Sequence, residues 1–288
     1  MLISITERNG NTTTLSYVSG YLYTVTDKNT RTLTFQTSNG KINSISSSAN
    51  PNAVYTFGYD GDKLTTITDP DNNPYRFTYY TNNSLLKDKI DPMRNTTTYT
   101  YYDDNRIETA TDPETNTIRI DYDTAGNDNT QTVFVTMKDT GTWEYKYSKS
   151  INKPLMIKDP YGNATYYEYT PDPNNTAEGM IWPHILKETA DDNSVTTYTY
   201  DMATGDVGTK TDALGNVTSY TYNDYGQIET MTGPGGFKTI FTYDLATGNL
   251  TEFKEEYEQG LYAATYFGYS GNNLNRVQDP DNVVTDIT

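Results

Sequence analysis

What the chain lacks narrows its chemistry before any motif is found. It has no cysteine, which excludes disulfides, thiolate nucleophiles and thiolate metal sites. That absence fits an oxidising or a reducing compartment equally well. It has one histidine, so a histidine-dependent enzyme would have to use His184. No Gly-x-Ser-x-Gly elbow accompanies it. Basic residues are scarce, 21 Lys and Arg against 38 Asp and Glu, and the net charge is −17 with a pI near 4.3. Such a field repels nucleic acid and anionic lipid, so neither is expected as a partner. No apolar run approaches the roughly 20 residues of a membrane helix, so no membrane insertion is expected. The opening Met1-Leu2-Ile3-Ser4-Ile5-Thr6-Glu7 does not read as a signal peptide.

Hydrophobic residues make up only 34% of the chain, but 28 residues are tyrosine. Tyrosine supplies apolar area while its hydroxyl faces water or a neighbour. A two-sided, partly wet sheet suits this balance better than a dense core.

The positive signal is a phrase that recurs about twelve times: aromatic-x-Tyr-(Asp), a Gly-bearing gap, an aliphatic residue, then Asp-Pro-x-x-Asn or a variant. The anchoring aromatics are Tyr17, Phe35, Tyr59, Tyr79, Tyr101, Tyr122, Tyr147, Tyr169, Tyr200, Tyr222, Tyr243 and Tyr269, which gives a period of about 22. Another hydrophobic residue precedes each by two, among them Leu15, Leu33, Phe57, Tyr99, Tyr198 and Phe267. Spacing of two puts both side chains on one face of a strand. Asp60, Asp123, Asp201 and Asp244 directly follow their tyrosines, where a carboxylate accepts hydrogen bonds from turn amides. Gly61, Gly126, Gly205 and Gly248 fall late in these turns, where positive φ is common.

A second strand then starts at Leu64, Ile107, Val207, Ile228, Leu250 or Leu274 and closes on Asp69-Pro70, Asp91-Pro92, Asp112-Pro113, Asp159-Pro160 or Asp279-Pro280. Leu64 and Ile67, Ile228 and Met231, and Leu250 and Phe253 lie three apart rather than two. These segments are too short and too rich in Thr and Asp for helix, so the spacing predicts a bulge just after the turn.

The expected fold is therefore all-β. Tandem antiparallel hairpins form one array over 1–288, a long sheet that must coil because open sheets rarely exceed about ten strands. At about 4.8 Å per strand some two dozen strands span on the order of 115 Å.

Tyr122-Asp123-Thr124-Ala125-Gly126 and Asp212-Ala213-Leu214-Gly215-Asn216 resemble the YD repeat of RHS proteins, and the resemblance covers essentially the whole chain. The family includes bacterial polymorphic toxins, wall-associated proteins, the shells of insecticidal toxin complexes and animal teneurins. The resemblance implies a strip of hairpins spiralling into a hollow shell, which in the toxins encloses a C-terminal toxic domain. It implies a non-catalytic structural role, no cofactor and no metal, and a secreted or cell-surface location. The implied partner is the remainder of the same polypeptide, that is, further repeats and the enclosed domain. The repeat anchors carried over are Tyr59, Asp60, Tyr101, Tyr122, Asp123, Tyr200, Asp201, Tyr222, Tyr243, Asp244 and Tyr269.

The chain departs from the family pattern at Phe35, Tyr79 and Tyr147, which lack the following Asp, and at a long insertion from Thr170 to Lys187. Neither the family's shell-closing segment nor a toxin domain is recognised, so a piece of a larger protein is expected. The alternative is a surface adhesin or a carbohydrate- or protein-binding module. It would present tyrosine rows such as Tyr198, Tyr200, Tyr220 and Tyr222, or the segments Thr170 to Lys187 and Glu252 to Leu261. Against it, such rows also arise as cross-strand rungs.

Two further sites have bland readings. Asp-rich turns such as Asp69-Pro70-Asp71-Asn72-Asn73 offer Ca²⁺ ligands, but they lack EF-hand spacing and read first as turn caps. His184 reads as part of an insertion that Trp182 and Ile185 pin to the sheet.

Overall fold

The computed structural model describes residues 1–7, 10–123, 129–170, 183–201, 203–271 and 273–287. Among them are twenty-six β-strands and no helix. Contacts divide the chain into two units, Met1–Gly162 and Asn163–Thr288. The first holds the strands from Ser4–Thr6 to Lys153–Lys158, the second those from Ala164–Tyr169 to Val284–Asp286. Within each unit, strands pair with their sequence neighbours, always antiparallel. The result is the predicted meander of hairpins, all-β throughout.

The predicted bulge is present. Tyr59 stands opposite Leu64 and Phe57 opposite Ile67, with Thr65 as the extra residue. The same step sets Tyr101 against Ile107, Tyr200 against Val207, Tyr222 against Ile228, Tyr243 against Leu250 and Tyr269 against Leu274. One inserted residue converts a spacing of three into a shared face. The pairing of Tyr122 with Val133 is regular and carries no bulge.

Phe35 departs from the expected anchor position. It faces Ile45, while Thr37 faces Ile42 at the bulge, so the anchor is Thr37 and Phe35 is the aromatic two residues before it. Hydrophobic alternation fits either choice. The turn decides: Asn39 and Gly40 both have positive φ, 52° and 77°, in a two-residue loop that fixes the register.

The connecting turns follow one plan. In Asp212–Asn216 the Asp212 carboxylate accepts Leu214 N at 2.9 Å and Asn216 N at 2.8 Å on Oδ1, and Asn216 Nδ2 at 2.8 Å on Oδ2. Gly215 has φ of 82°, the left-handed residue this loop requires. Asp69, Asp91 and Asp112 repeat the arrangement, with Asn72, Arg94 and Thr115 in the left-handed position.

Each unit has two unlike faces. One carries the anchors and their aliphatic partners. The other is a hydroxyl face, where Thr26 meets Thr32 at 3.0 Å, Thr111 meets Thr117 at 2.9 Å and Thr199 meets Thr209 at 2.8 Å. Ion pairs on this face are of mixed sign, such as Lys187–Glu168 and Lys254–Glu252. Among the described residues only Ala164 and Ser148 are buried. The tyrosine face is only half-buried.

Candidate functional site

The feature that repeats with fixed geometry is a joint between successive hairpins. The Tyr79 hydroxyl donates to Leu64 O at 2.7 Å, and Leu64 is the bulge residue facing the previous anchor, Tyr59. Tyr59 donates to Ile42 O at 2.8 Å, Tyr200 to Ile185 O at 2.7 Å and Tyr243 to Ile228 O at 2.9 Å. The bulge disturbs the ladder at each of these carbonyls, and the next tyrosine hydroxyl supplies a donor there. Phenylalanine would fill the same space without that bond, which accounts for tyrosine at the anchor. Burial raises the pKa of Tyr79, Tyr200 and Tyr243 above the ordinary phenol value.

A second set of tyrosines reaches forward instead. Tyr80 donates to Tyr99 O at 2.9 Å, and Tyr102 donates to Ile120 O at 3.1 Å and to Asp121 Oδ1 at 2.8 Å. Around Tyr102, Arg119 bonds Asp121, Glu108 and the Tyr102 hydroxyl. These bonds to Arg119 and Tyr102 hold the Asp121 carboxyl below the usual range. Arg106 lies over the Tyr122 ring at 4.3 Å. Tyr80, Asn82, Asn83, Tyr101, Tyr102 and Asp103 border an open groove of about 390 Å³. The doublets Tyr79-Tyr80 and Tyr101-Tyr102 are the sequence signal for this second set, which the anchor pattern alone does not pick out.

The other expected positions are placed as follows. Tyr101 and Tyr122 sit at the ends of their first strands and pack edge-on against Tyr80 and Tyr102. The Asp201 carboxylate accepts Ala203 N at 2.8 Å, and that of Asp244 accepts Ala246 N at 2.8 Å, so both cap their turns. Asp60 lies opposite Lys63 in the hairpin register. Asp123 N donates to Thr132 O at 3.0 Å, while Thr124 to Gly126 lie outside the described residues. Trp182 and most of the insertion, 171–182, also lie outside them. His184 stacks on Tyr200 at 4.6 Å, a contact its sequence position does not reveal. Glu252 to Leu261 extends a hairpin: Glu252 pairs with Lys254, and Glu256 accepts the backbone amides of Gly260 and Lys238.

The Asp-turn carboxylates spend their oxygens on their own loops. Bonds from the Asn216 side chain and backbone hold Asp212 below its ordinary pKa, and bonds from Asn116 do the same for Asp112. Among the described residues no three His, Asp or Glu side chains gather as a metal site, and no helix is long and apolar enough to cross a membrane. Trp143, Tyr145 and Tyr147 form a row with centroids 6.3 and 6.2 Å apart and planes within 19° of parallel. Each ring face is turned toward its neighbour, so the row offers edges rather than flat platforms for stacking a sugar.

Residues 202–238 match the RHS Repeat family model. No curated protein matches the sequence. Two crystal structures share the fold. TcdB2-TccC3-TEV aligns with 97% of this chain at 14% identity and a TM-score of 0.59. TcdB2-TccC3 without its hypervariable C-terminal region aligns with 95% at 11% identity and a TM-score of 0.52. The aligned part is 16% and 18% of those chains, so this chain spans less than a fifth of their length. The repeat phrase and the hairpin meander it folds into agree with the match at 202–238: that stretch is similar to the RHS repeat, and the chain shares its fold with the two crystal structures.

Proposed function

We propose that this chain is wall material: a non-catalytic stretch of RHS-type shell that encloses, and helps deliver, a C-terminal toxin domain of the same polypeptide. The observation that carries this reading is the contrast between the two faces. Tyrosine joints at Tyr59, Tyr79, Tyr200 and Tyr243 tie hairpins to the ones before them, yet the face they stand on is left half-exposed. Such a surface is usually covered by a partner, and an enclosed domain would supply the cover. The phrase runs from Tyr147 to Tyr169 across the boundary between the two units, which favours one continuous array over 1–288. The reading includes no turnover, no cofactor, and a secreted or surface location.

The test is protease challenge of the full polypeptide that carries this segment. An enclosed C-terminal domain survives intact until the shell is unfolded. A C-terminal domain digested at the rate of the isolated domain overturns the proposal. The adhesin reading is not advanced, because the row Trp143, Tyr145 and Tyr147 turns its ring faces on one another.

A further inference from the structure

The hydroxyl joint recurs at Tyr17, which donates to Leu2 O at 2.7 Å, and a second contact repeats beside it. In several hairpins the residue just before the bulge aliphatic reaches over the next anchor ring or into the next turn. Lys41, before Ile42, lies 5.7 Å from the centroid of the Tyr59 ring; its Nζ donates to Gly61 O and pairs with Asp62 at 2.8 Å. Lys63, before Leu64, lies 5.7 Å from the Tyr79 ring, and Arg106, before Ile107, lies 4.3 Å from the Tyr122 ring. His184, before Ile185, stacks on Tyr200, and Gln227, before Ile228, donates through Nε2 to Gly248 O at 2.9 Å. A cation over a ring face is attracted by the ring's quadrupole.

At Tyr101 the same position falls to Leu85, which carries no charge. In other respects the surroundings of Tyr101 copy those of Tyr122, one hairpin on. Tyr80 packs edge-on against Tyr101 with centroids 6.3 Å apart, as Tyr102 does against Tyr122 at 6.0 Å. Tyr80 N donates to Leu85 O as Tyr102 N donates to Arg106 O, both at 2.9 Å. Asn83 Oδ1 accepts Leu85 N at 3.2 Å, where Asp104 Oδ1 accepts Arg106 N at 3.1 Å. Each anchor borders a groove, of about 390 Å³ at Tyr101 and about 370 Å³ at Tyr122. The second groove has a guanidinium of its own, that of Arg106, paired with Asp104 at 2.6 Å. The first has no Lys or Arg on its border among the described residues. Asp103 brings it an exposed carboxylate that no described side chain bonds.

We propose that the groove beside Tyr101 binds a guanidinium group brought by a ligand, in the place that Arg106 takes at Tyr122. The Tyr80 and Tyr101 rings give it an aromatic wall and Asp103 a countercharge, while the Asn82 carboxamide and the Thr100 hydroxyl offer acceptors for its N–H groups. A planar fork of donors that stacks on aromatic rings suits this lining better than a compact ammonium. The net charge of −17 draws cations toward the whole chain, and the groove supplies the place where one is held. The guanidinium comes from a free small molecule or from an arginine side chain of another protein, and the two differ in what flanks the group.

The full-length chain with ring-labelled tyrosine is titrated with N-acetylarginine amide and followed by NMR, the Tyr101 resonance being assigned through Tyr101→Phe. The expected result is a saturable shift at Tyr80 and Tyr101 in the millimolar range, larger than at Tyr122, where Arg106 already lies over the ring. Asp103→Asn should weaken binding about threefold. Leu85→Arg gives the site a guanidinium of the chain's own and should abolish the shift. N-acetylcitrulline amide, which keeps the shape and lacks the charge, should not bind. A short arginine peptide that saturates at lower concentration than the amide assigns the site to a protein's arginine, and equal saturation assigns it to a small molecule. No saturable shift at Tyr101, an undiminished shift in Leu85→Arg, or equal binding of the citrulline compound would overturn the proposal.

Discussion

Replacing Tyr79 by phenylalanine isolates the joint. The ring, its packing and the strand register are kept, and only the hydroxyl that bonds Leu64 O at 2.7 Å is lost. A net hydrogen bond is worth about 1 kcal/mol, at the lower end where water can reach the orphaned carbonyl. In a unit of 162 residues that corresponds to a fall in Tm of about 3 °C. The joints at Tyr59 and Tyr79 lie two strands apart, about 10 Å, so their losses should add. A Tyr17, Tyr59 and Tyr79 triple change to phenylalanine should therefore lower Tm by about 9 °C. The control is Tyr161→Phe at a turn tip where the side chain is 89% exposed. Thermal unfolding gives the sum, and hydrogen exchange gives the place, because protection should fall around Leu64 and not at the other end of the unit. If the triple change moves Tm no more than the control does, the hydroxyls are not what joins the hairpins.

Further outcomes follow from the turns and the ionisable groups. Thr115 is β-branched in the left-handed region at φ of 67°, so Thr115→Gly should stabilise by about 1 kcal/mol net of glycine's entropy, read as a shift in the urea midpoint. The carboxyls of Asp69, Asp91, Asp112 and Asp212 are held below 3.8 by their turn bonds, so the unfolded chain takes up protons first; stability is present above pH 3.8 and falls as pH drops further, seen as Tm against pH. The phenols of Tyr79, Tyr200, Tyr222 and Tyr243 are raised above 10, so the unfolded chain releases protons first, and stability is lost as pH climbs past 10 through the folded values. EDTA should leave Tm unchanged, because the turn carboxylates already bond their own amides; a fall in Tm reversed by Ca²⁺ would refute that account.

Much of this fold is readable in the residues because each hairpin repeats one local rule. Alternation gives the face, the Gly- and Asn-bearing turns give the reversal, and the three-residue step from Leu64 to Ile67 gives the bulge. Where two local rules tie, the sequence misleads: Leu33 and Phe35 satisfy the alternation as well as Phe35 and Thr37 do, and only the register set at Asn39-Gly40 separates them. The joint is harder to see because it acts between hairpins. Its trace is a spacing of fifteen from Leu2 to Tyr17, Leu64 to Tyr79, Ile185 to Tyr200 and Ile228 to Tyr243, widened to seventeen from Ile42 to Tyr59. The cluster of Arg119, Asp121, Glu108 and Tyr102 leaves no such trace, since it draws on three successive strand segments and occurs once among the described residues.

The distribution of charge bears on how such a sheet meets other copies of itself. Hydroxyl-face ion pairs nearly cancel, as in Lys158–Glu144 and Lys187–Glu168, while the acid excess collects at the turns: Asp69 and Asp71, Asp103 and Asp104, Asp191 and Asp192, Asp279 and Asp281. Acid at the turns sets like charge against like wherever two copies meet along their turn edges, which discourages unspecific stacking. The tyrosine face is left nearly free of charge, with Lys89, Glu188, Lys210 and Glu255 as exceptions. A strip that repels at its rims and is apolar on one face favours contact through that face, as the proposed enclosure would require. Moving charge from rim to face would reverse the preference. A lysine in place of Phe57 or Phe241, where the aromatic faces Ile67 or Phe253, should weaken enclosure of a co-expressed C-terminal domain more than the same lysine in place of Leu214, 87% exposed at a turn tip.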